Sequence, residues 1–154
     1  MVRLVPMSLD NRAAWLTAMW ADYRQQLINT GFSPEEASKN IEHNERELLV
    51  NGIPNADQRI FDVLDDETNV GSLWLATREA QSAGEWYVYD IVIDDAFRGR
   101  GLGRRTMRAA EDYVKSQGGT RLALNVFGPN TVARRLYESL GYKTMAIGMR
   151  KNLV

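Results

Sequence analysis

The apolar positions change period several times along the chain, and each change marks an element. Residues 2–7 alternate loosely and predict a short strand with Pro6 near its end. Over residues 10–30, Trp15, Leu16, Met19, Trp20, Tyr23 and Leu27 recur at helical spacing until Thr30 and Gly31 break the run. A second helix starts at Ser33: that serine is an N-cap, Pro34 takes the first helical position and Glu36 completes a capping box. This helix is expected to run to about Asn51 and Gly52. The period then shortens to that of strands over residues 59–65 and 70–78, joined by a turn at residues 65–69, and over residues 85–94. Leu102, Thr106, Ala109, Ala110, Tyr113 and Val114 return to helical spacing, and Gly118-Gly119 ends that helix. A strand follows at 121–127. Asn130 then caps a helix bearing Val132, Ala133, Leu136, Tyr137 and Leu140, with Gly141 at its C′ position. Residues 142–150 predict a last strand.

The order β-α-α-β-β-β-α-β-α-β describes an α+β, or mixed α/β, domain around one central sheet flanked by helices. No repeat, low-complexity tract or linker divides it, and 154 residues fit one domain. Hydrophobic residues make up 44%, enough for a buried core, and four tryptophans with six tyrosines argue against disorder. A net charge of -1 gives no global reason to bind nucleic acid or an anionic membrane. The absence of cysteine excludes disulfides, thiolate metal sites and a cysteine nucleophile. Met1 to Val5 lack the apolar run of a signal peptide, and no apolar stretch approaches the roughly 18 residues of a membrane span. A soluble, cytoplasmic protein is the expectation.

The stretch richest in chemistry is Arg98-Gly99-Arg100-Gly101-Leu102-Gly103-Arg104, which follows a strand and opens a helix. Glycines let backbone turn tightly and approach a ligand closely. The first N–H groups of the helix, with roughly half a positive charge from its dipole, make a site for an anion such as a diphosphate. Arg98, Arg100, Arg104 and Arg105 add positive charge. A Walker A loop would need Gly-Lys-Ser/Thr, which is missing, and the dinucleotide fingerprint fails because its sixth position is Arg104. A kinase glycine loop would lead into a strand rather than a helix. What remains is Arg/Gln-x-x-Gly-x-Gly/Ala, matched by Arg98, Gly101 and Gly103.

That pattern resembles the acetyl-CoA loop of the GNAT acetyltransferases. Residues 89–97, from Tyr89 through Ile91, Val92 and Ile93 to Phe97, resemble the family's fourth strand and its exit. Residues 125–142, with Asn130, Ala133, Leu136-Tyr137-Glu138 and Gly141-Tyr142, resemble its second motif. The likeness covers about residues 59–150 and implies a single domain over 1–154, with an acetyl-CoA-binding core there and a variable helical region over 1–55 on the acceptor side. It also implies a mostly antiparallel mixed sheet and acetyl-CoA as cosubstrate. The acceptor would be an amine on a small molecule or a peptide, and neither nucleic acid nor membrane is expected as a partner. A homodimer is compatible with the sequence, and no metal is called for.

Acetyl transfer requires a positioned thioester, a stabilised oxyanion, a deprotonated amine and a protonated leaving thiolate. The resemblance implies that exposed backbone at Ile91, Val92 and Ile93 pairs with the pantetheine arm as if with a strand, an N–H near Ile91 meeting the thioester oxygen. Asn130 caps a helix and is also placed to hydrogen-bond the arm; capping alone is the other reading. Tyr137 maps onto the family's usual general acid, since a phenol of pKa about 10 can protonate a thiolate. Asp90, on the cofactor strand, is the first choice of base and Glu85 the second, directly or through water. Asp90 serving only to orient neighbours or pair with an arginine is the structural alternative. His43, the only histidine, sits among polar residues and reads as exposed, and Asp65, Asp66 and Glu67 read as a wet turn. Trp15, Met19, Trp20 and Tyr23 read as a packed helix face that could also line an acceptor pocket, and Glu42, Glu45 and Glu47 as a solvated run able to attract a cation. Arg134 and Arg135 suit a 3′-phosphate or a pair with Glu138. A noncatalytic acyl-CoA-binding module is the competing reading from another class.

Overall fold

A computed structural model describes residues 1–50 and 53–154. In chain order the elements are β1 (Val2–Pro6), α1 (Leu9–Asn29), α2 (Pro34–Leu48), β2 (Leu49–Val50), β3 (Ile53–Pro54), β4 (Gln58–Asp65), β5 (Thr68–Thr77), β6 (Glu85–Ile93), α3 (Leu102–Ser116), β7 (Arg121–Leu124) and α4 (Thr131–Ser139). The fold is the expected mixed α/β type. Its chain forms two compact units, Met1–Leu9 with Ile53–Asn125, and Asp10–Gly52 with Val126–Val154.

The first unit holds a five-stranded sheet in the order β1-β4-β5-β6-β7. β1, β4, β5 and β6 pair antiparallel, and β7 joins β6 in parallel. Parallel pairing requires a crossover, and α3 supplies it. Its buried stripe, Leu102, Thr106, Met107, Ala110 and Val114, has the i, i+4, i+5, i+8, i+12 spacing of one helix face. Phe61 meets Tyr113 of α3 edge-on at 5.0 Å, and Trp86 meets it at 5.8 Å. Gly119 is small by necessity, because a Cβ there would strike the side chains of Trp86 and Val114. The β4–β5 turn is tight: Asp65 pairs with Thr68, and Asp66 takes a positive φ of 54°. The terminal amino group donates to the Asp66 carboxylate at 2.9 Å, which lowers that carboxyl's pKa and raises the amine's.

The second unit is helical. Leu16, Trp20 and Leu27 are the buried residues of α1, with Tyr23 half-buried and its phenol pKa raised by burial. α1 ends where Gly31 adopts φ 105° and Phe32 N–H reaches back to the Leu27 carbonyl at 3.1 Å, a Schellman cap. Gly118 and Gly141 close α3 and α4 the same way, at φ 80° and 95°. The Ser33 capping box is complete: its hydroxyl accepts from Glu36 N–H at 3.1 Å and Glu36 accepts from Ser33 N–H at 2.8 Å. Arg24 of α1 links the helices by donating to Ser38 at 3.0 Å and to the Pro34 carbonyl at 3.2 Å.

Three expectations at element level change. α2 ends at Leu48, and its expected terminus at Asn51 and Gly52 lies outside the described residues. β7 stops at Leu124 rather than 127, because its pairing with β6 ends at Val88, just before a bulge that turns β6 aside. Residues 142–154 contain no helix or strand, although Met145, Ile147 and Met149 keep the strand period. Period two specifies a face; a strand also needs a neighbouring backbone, and the alternation does not encode which one.

Glu36 ties the capping box to Arg150, whose guanidinium donates to both carboxylate oxygens at 3.1 and 3.0 Å. The Ser33 N–H bond, with Arg150, holds the Glu36 carboxyl below its ordinary 4.5. A depressed carboxyl stabilises the fold above its unfolded value and loses that contribution as pH falls through the folded one. Glu36→Gln is therefore expected to be less stable than the native chain at pH 7, with the difference closing below about pH 4, as measured by urea unfolding across pH.

Candidate functional site

β6 is held by two neighbours over its first half and by one over its second. Glu85–Val88 pair with Arg121–Leu124 of β7, and the ladder stops there. On the other side, pairing with β5 runs to Gly71↔Ile93, interrupted by a shift between Trp74 and Leu75 that leaves Tyr89 as the extra residue. The Val92 carbonyl lies against Gly71, where a Cβ would collide with it, so this carbonyl points toward β5. Asp94 N–H also turns that way, donating to the Val70 carbonyl at 2.9 Å. Backbone groups alternate sides along a strand, so those of Ile91 and Ile93 face the open side. The Ile93 carbonyl is occupied by Arg98 Nε at 2.9 Å, which ties the following loop to the end of β6.

That loop runs through a short 3₁₀ turn, Asp95–Phe97, to the start of α3. Gly99 and Gly101 have φ 75° and 73°, the left-handed region that favours glycine. Gly101 is the N-cap of α3 and brings no side chain to it, so the first N–H groups, from Leu102, Gly103 and Arg104, have no capping side chain there. A Cβ at Gly99 or Gly101 would meet nothing within 4 Å, which leaves open space beside the backbone. Leu102, 2% exposed, pins the first turn against the core. Arg98 also pairs with Asp95 at 2.8 Å, and Arg105 with Asp65 at 3.2 Å. Arg100 donates to the Ala96 carbonyl at 3.2 Å. The arginines thus brace the loop while lending it positive charge.

Asp90 stands opposite Trp74, and directly opposed residues share a sheet face. That face also carries an aromatic group the sequence reading did not single out. Tyr89 lies 5.2 Å from Trp74 and 4.8 Å from Tyr87, and the Arg78 guanidinium sits 3.5 Å over the Tyr87 ring. Gly71 was missed as well; a glycine amid strand residues signals close backbone approach. Glu85 does not join Asp90. It lies five residues away, about 16 Å along the strand, and faces Arg121 at 3.9 Å.

Asn130 and Tyr137 belong to the second unit. Asn130 Oδ1 accepts from Ala133 N–H at 3.2 Å, so its capping role is present. Tyr137 is 9% exposed and meets Tyr142 edge-on at 6.0 Å. Arg134 pairs with Glu138 at 3.0 Å, and His43 is exposed. Trp20 lines a cavity of about 740 Å³ between α1 and α2 with Leu16, Leu49, Glu42 and Glu45. Among the described residues no cluster of three or more His, Asp or Glu side chains could hold a metal ion, and no helix is long and apolar enough to cross a membrane.

Comparison with known proteins follows the same lines. YycN, an uncharacterised N-acetyltransferase of Bacillus subtilis (strain 168), is 27% identical over 99% of this chain and 99% of its own. A crystal structure of YycN superposes with a TM-score of 0.91 at 26% identity, covering 100% of this chain and 99% of that one. YdgE, another uncharacterised N-acetyltransferase of that strain, is 29% identical over 86% of this chain and 85% of its own. AAC(6')-Iy, solved with the bisubstrate analogue CoA-S-monomethyl-acetylneamine, shares the fold at a TM-score of 0.58 and 16% identity, with 99% of each chain covered. The model of the acetyltransferase (GNAT) family matches residues 13–142, spanning both the glycine loop and the Asn130–Tyr137 motif. With a β strand left open beyond Val88, an unclothed helix start beside it and this match over most of its length, the chain belongs to the GNAT family of acetyltransferases.

Proposed function

We propose that this protein transfers acetyl from acetyl-CoA directly to a primary amine, carried by a small molecule or a peptide. One observation carries the reading: the α3 N-terminus, capped by Gly101 without a side chain, opens beside the one-sided half of β6. The amides of Leu102, Gly103 and Arg104, with Gly99 and Gly101 keeping the approach clear, hold the diphosphate. Arg98, Arg100 and Arg104 supply charge, Arg98 chiefly by bracing. The open backbone of Ile91 and the N–H of Ile93, whose carbonyl is already held by Arg98, pair with the amides of the pantetheine arm, and Val92 between them fixes their direction by facing Gly71. A strand-like pairing of this kind limits the motion of the thioester, and positioning is a large part of what catalysis of a two-substrate reaction needs.

The amine nitrogen attacks the thioester carbon, the C–S bond breaks and the amine loses a proton. The N–H of Ile91 serves the developing oxyanion. Asp90 accepts the amine proton, directly or through water, and the aromatic face of Trp74, Tyr87 and Tyr89 around it restricts access of bulk solvent. Tyr137, assigned from the family motif, donates its phenolic proton to the departing thiolate. Asn130 keeps α4 in register through its oxygen and offers its amide nitrogen to the arm. The helical region over residues 1–55 shapes the acceptor side of a single-domain, cytoplasmic enzyme that needs no metal.

Two substitutions test the assignment. Gly101→Glu sets bulk and negative charge against the diphosphate and is expected to abolish CoA binding in calorimetry, whereas Gly101→Asn, which tolerates the left-handed backbone, retains it; native affinity in Gly101→Glu would contradict the loop assignment. Tyr137→Phe is expected to lower turnover about 10²-fold or more with CoA affinity within about twofold. Equal turnover would remove Tyr137 from the chemistry. CoA binding without release of CoA on any amine of a broad panel would favour the noncatalytic module instead.

A further inference from the structure

Arg78, the first residue after β5, has its backbone held on both sides. Its N–H donates to the Glu85 carbonyl at 2.8 Å, and its carbonyl accepts from Gln81 and Ser82 N–H at 2.8 and 2.9 Å. Its guanidinium lies 3.5 Å over the Tyr87 ring and 5.7 Å from the Tyr89 ring. Arg98, Arg105, Arg121 and Arg134 each face a carboxylate, whereas Arg78 has no carboxylate partner among the described residues. The acidic groups next to it in the hairpin are engaged elsewhere: Glu79 accepts from Gly84 N–H at 2.7 Å, and Glu85 faces Arg121 at 3.9 Å. Arg78 is nevertheless half-buried, unlike the exposed Arg46 and Arg108. Drawing a cation partly out of water without a counter-charge is costly, and a ring face offsets only part of that cost.

We infer that Arg78 receives a carboxylate of the acceptor, and that the acceptor carries this acid several apolar carbons from its amine. The inference rests on the acetyl-transfer reading for the role of Asp90. A guanidinium stacked on a ring keeps its N–H edge in the ring-parallel plane, and that planar fork matches a carboxylate in two parallel bonds. The bulge places the two ends on one side. Tyr87 stands opposite Ala76 and Asp90 opposite Trp74, and Ala76 and Trp74 share a sheet face. Residues three apart on a regular strand would point to opposite faces; the extra residue Tyr89 brings Tyr87 and Asp90 to the same one. Their separation along β6 is about 10 Å. Between them the Tyr89 ring lies 4.8 Å from Tyr87 and 5.2 Å from Trp74. The face therefore carries a proton acceptor at one end, a cation at the other and aromatic rings between. An ω-amino carboxylate fits it, with the amine at Asp90, the methylenes on Tyr89 and the acid at Arg78.

The Arg78 Nε–H resonance of the nitrogen-15-labelled chain, followed with CoA present, tests this directly. The probes are 6-aminohexanoate and its uncharged counterpart 6-aminohexanamide. The resonance is expected to shift saturably with the acid and to stay in place with the amide. No shift with the acid, or the same shift with both, would overturn the inference. CoA release from acetyl-CoA gives an independent readout. The native chain is expected to favour the acid in kcat/KM by about tenfold or more. Arg78→Gln is expected to bring that ratio close to one, and Arg78→Lys, which keeps the charge without the fork, to retain part of it. Equal kcat/KM for the two amines in the native chain, or a preference that survives Arg78→Gln, would overturn the inference and leave acetyl transfer standing. An acid-specific shift at Arg78 with no CoA release from either amine would support the anion site and count against acetyl transfer.

Discussion

Everything at the candidate site depends on how β6 is held. Gly71 lets β5 approach until the Val92 carbonyl occupies the space a Cβ would need, and that contact commits Val92 to the β5 side. Alternation then turns Ile91 and Ile93 outward. β7 has stopped pairing at Val88, so those backbone groups meet no strand of the sheet. Without the close approach, the register would be free to slip and the open groups would have no fixed direction. The same strand delivers the chain, through Arg98 and the Ile93 carbonyl, into the loop that starts α3.

The electrostatics of the loop come from the backbone more than its arginines suggest. Arg98 and Arg105 have carboxylate partners, and exposed pairs of this type contribute little, about 0–1 kcal/mol. Their geometry matters more than their energy, since they bind the loop to β6 and to the β4–β5 turn. The helix terminus, by contrast, offers oriented N–H groups whose dipole effect falls off within one turn. A diphosphate needs both: oriented donors for shape and diffuse positive charge for attraction. GNAT chemistry fits this arrangement because the cosubstrate is anionic at one end and amide-bearing in the middle.

Local features were legible in the sequence because their physics is local. Ser33, Pro34 and Glu36 specify a helix start within four residues, and Gly31, Gly118 and Gly141 specify helix ends through left-handed caps. The glycine loop and its helix could be read for the same reason. The bulge at Tyr89, the end of β7 at Leu124 and the aromatic group around Asp90 depend on which strand lies beside which, and alternation does not encode that. The segment predicted as a last strand, residues 142–150, shows the limit most clearly. Its period gives a face, Met145, Ile147 and Met149, but no partner for its backbone. Asp90 ranked ahead of Glu85 as a base from its place on the strand, and the fold separates them further, Glu85 lying at an Arg121 pair and Asp90 opposite Trp74.

The central claim is that one set of backbone amides, in the open half of β6 and the first turn of α3, holds the cosubstrate. Amide hydrogen exchange read residue by residue, with and without CoA, tests it most directly. The account predicts slowed exchange at Ile91, Ile93, Leu102, Gly103 and Arg104 on saturation with CoA. Exchange at those five amides unchanged under saturating CoA, with protection appearing elsewhere, would contradict it.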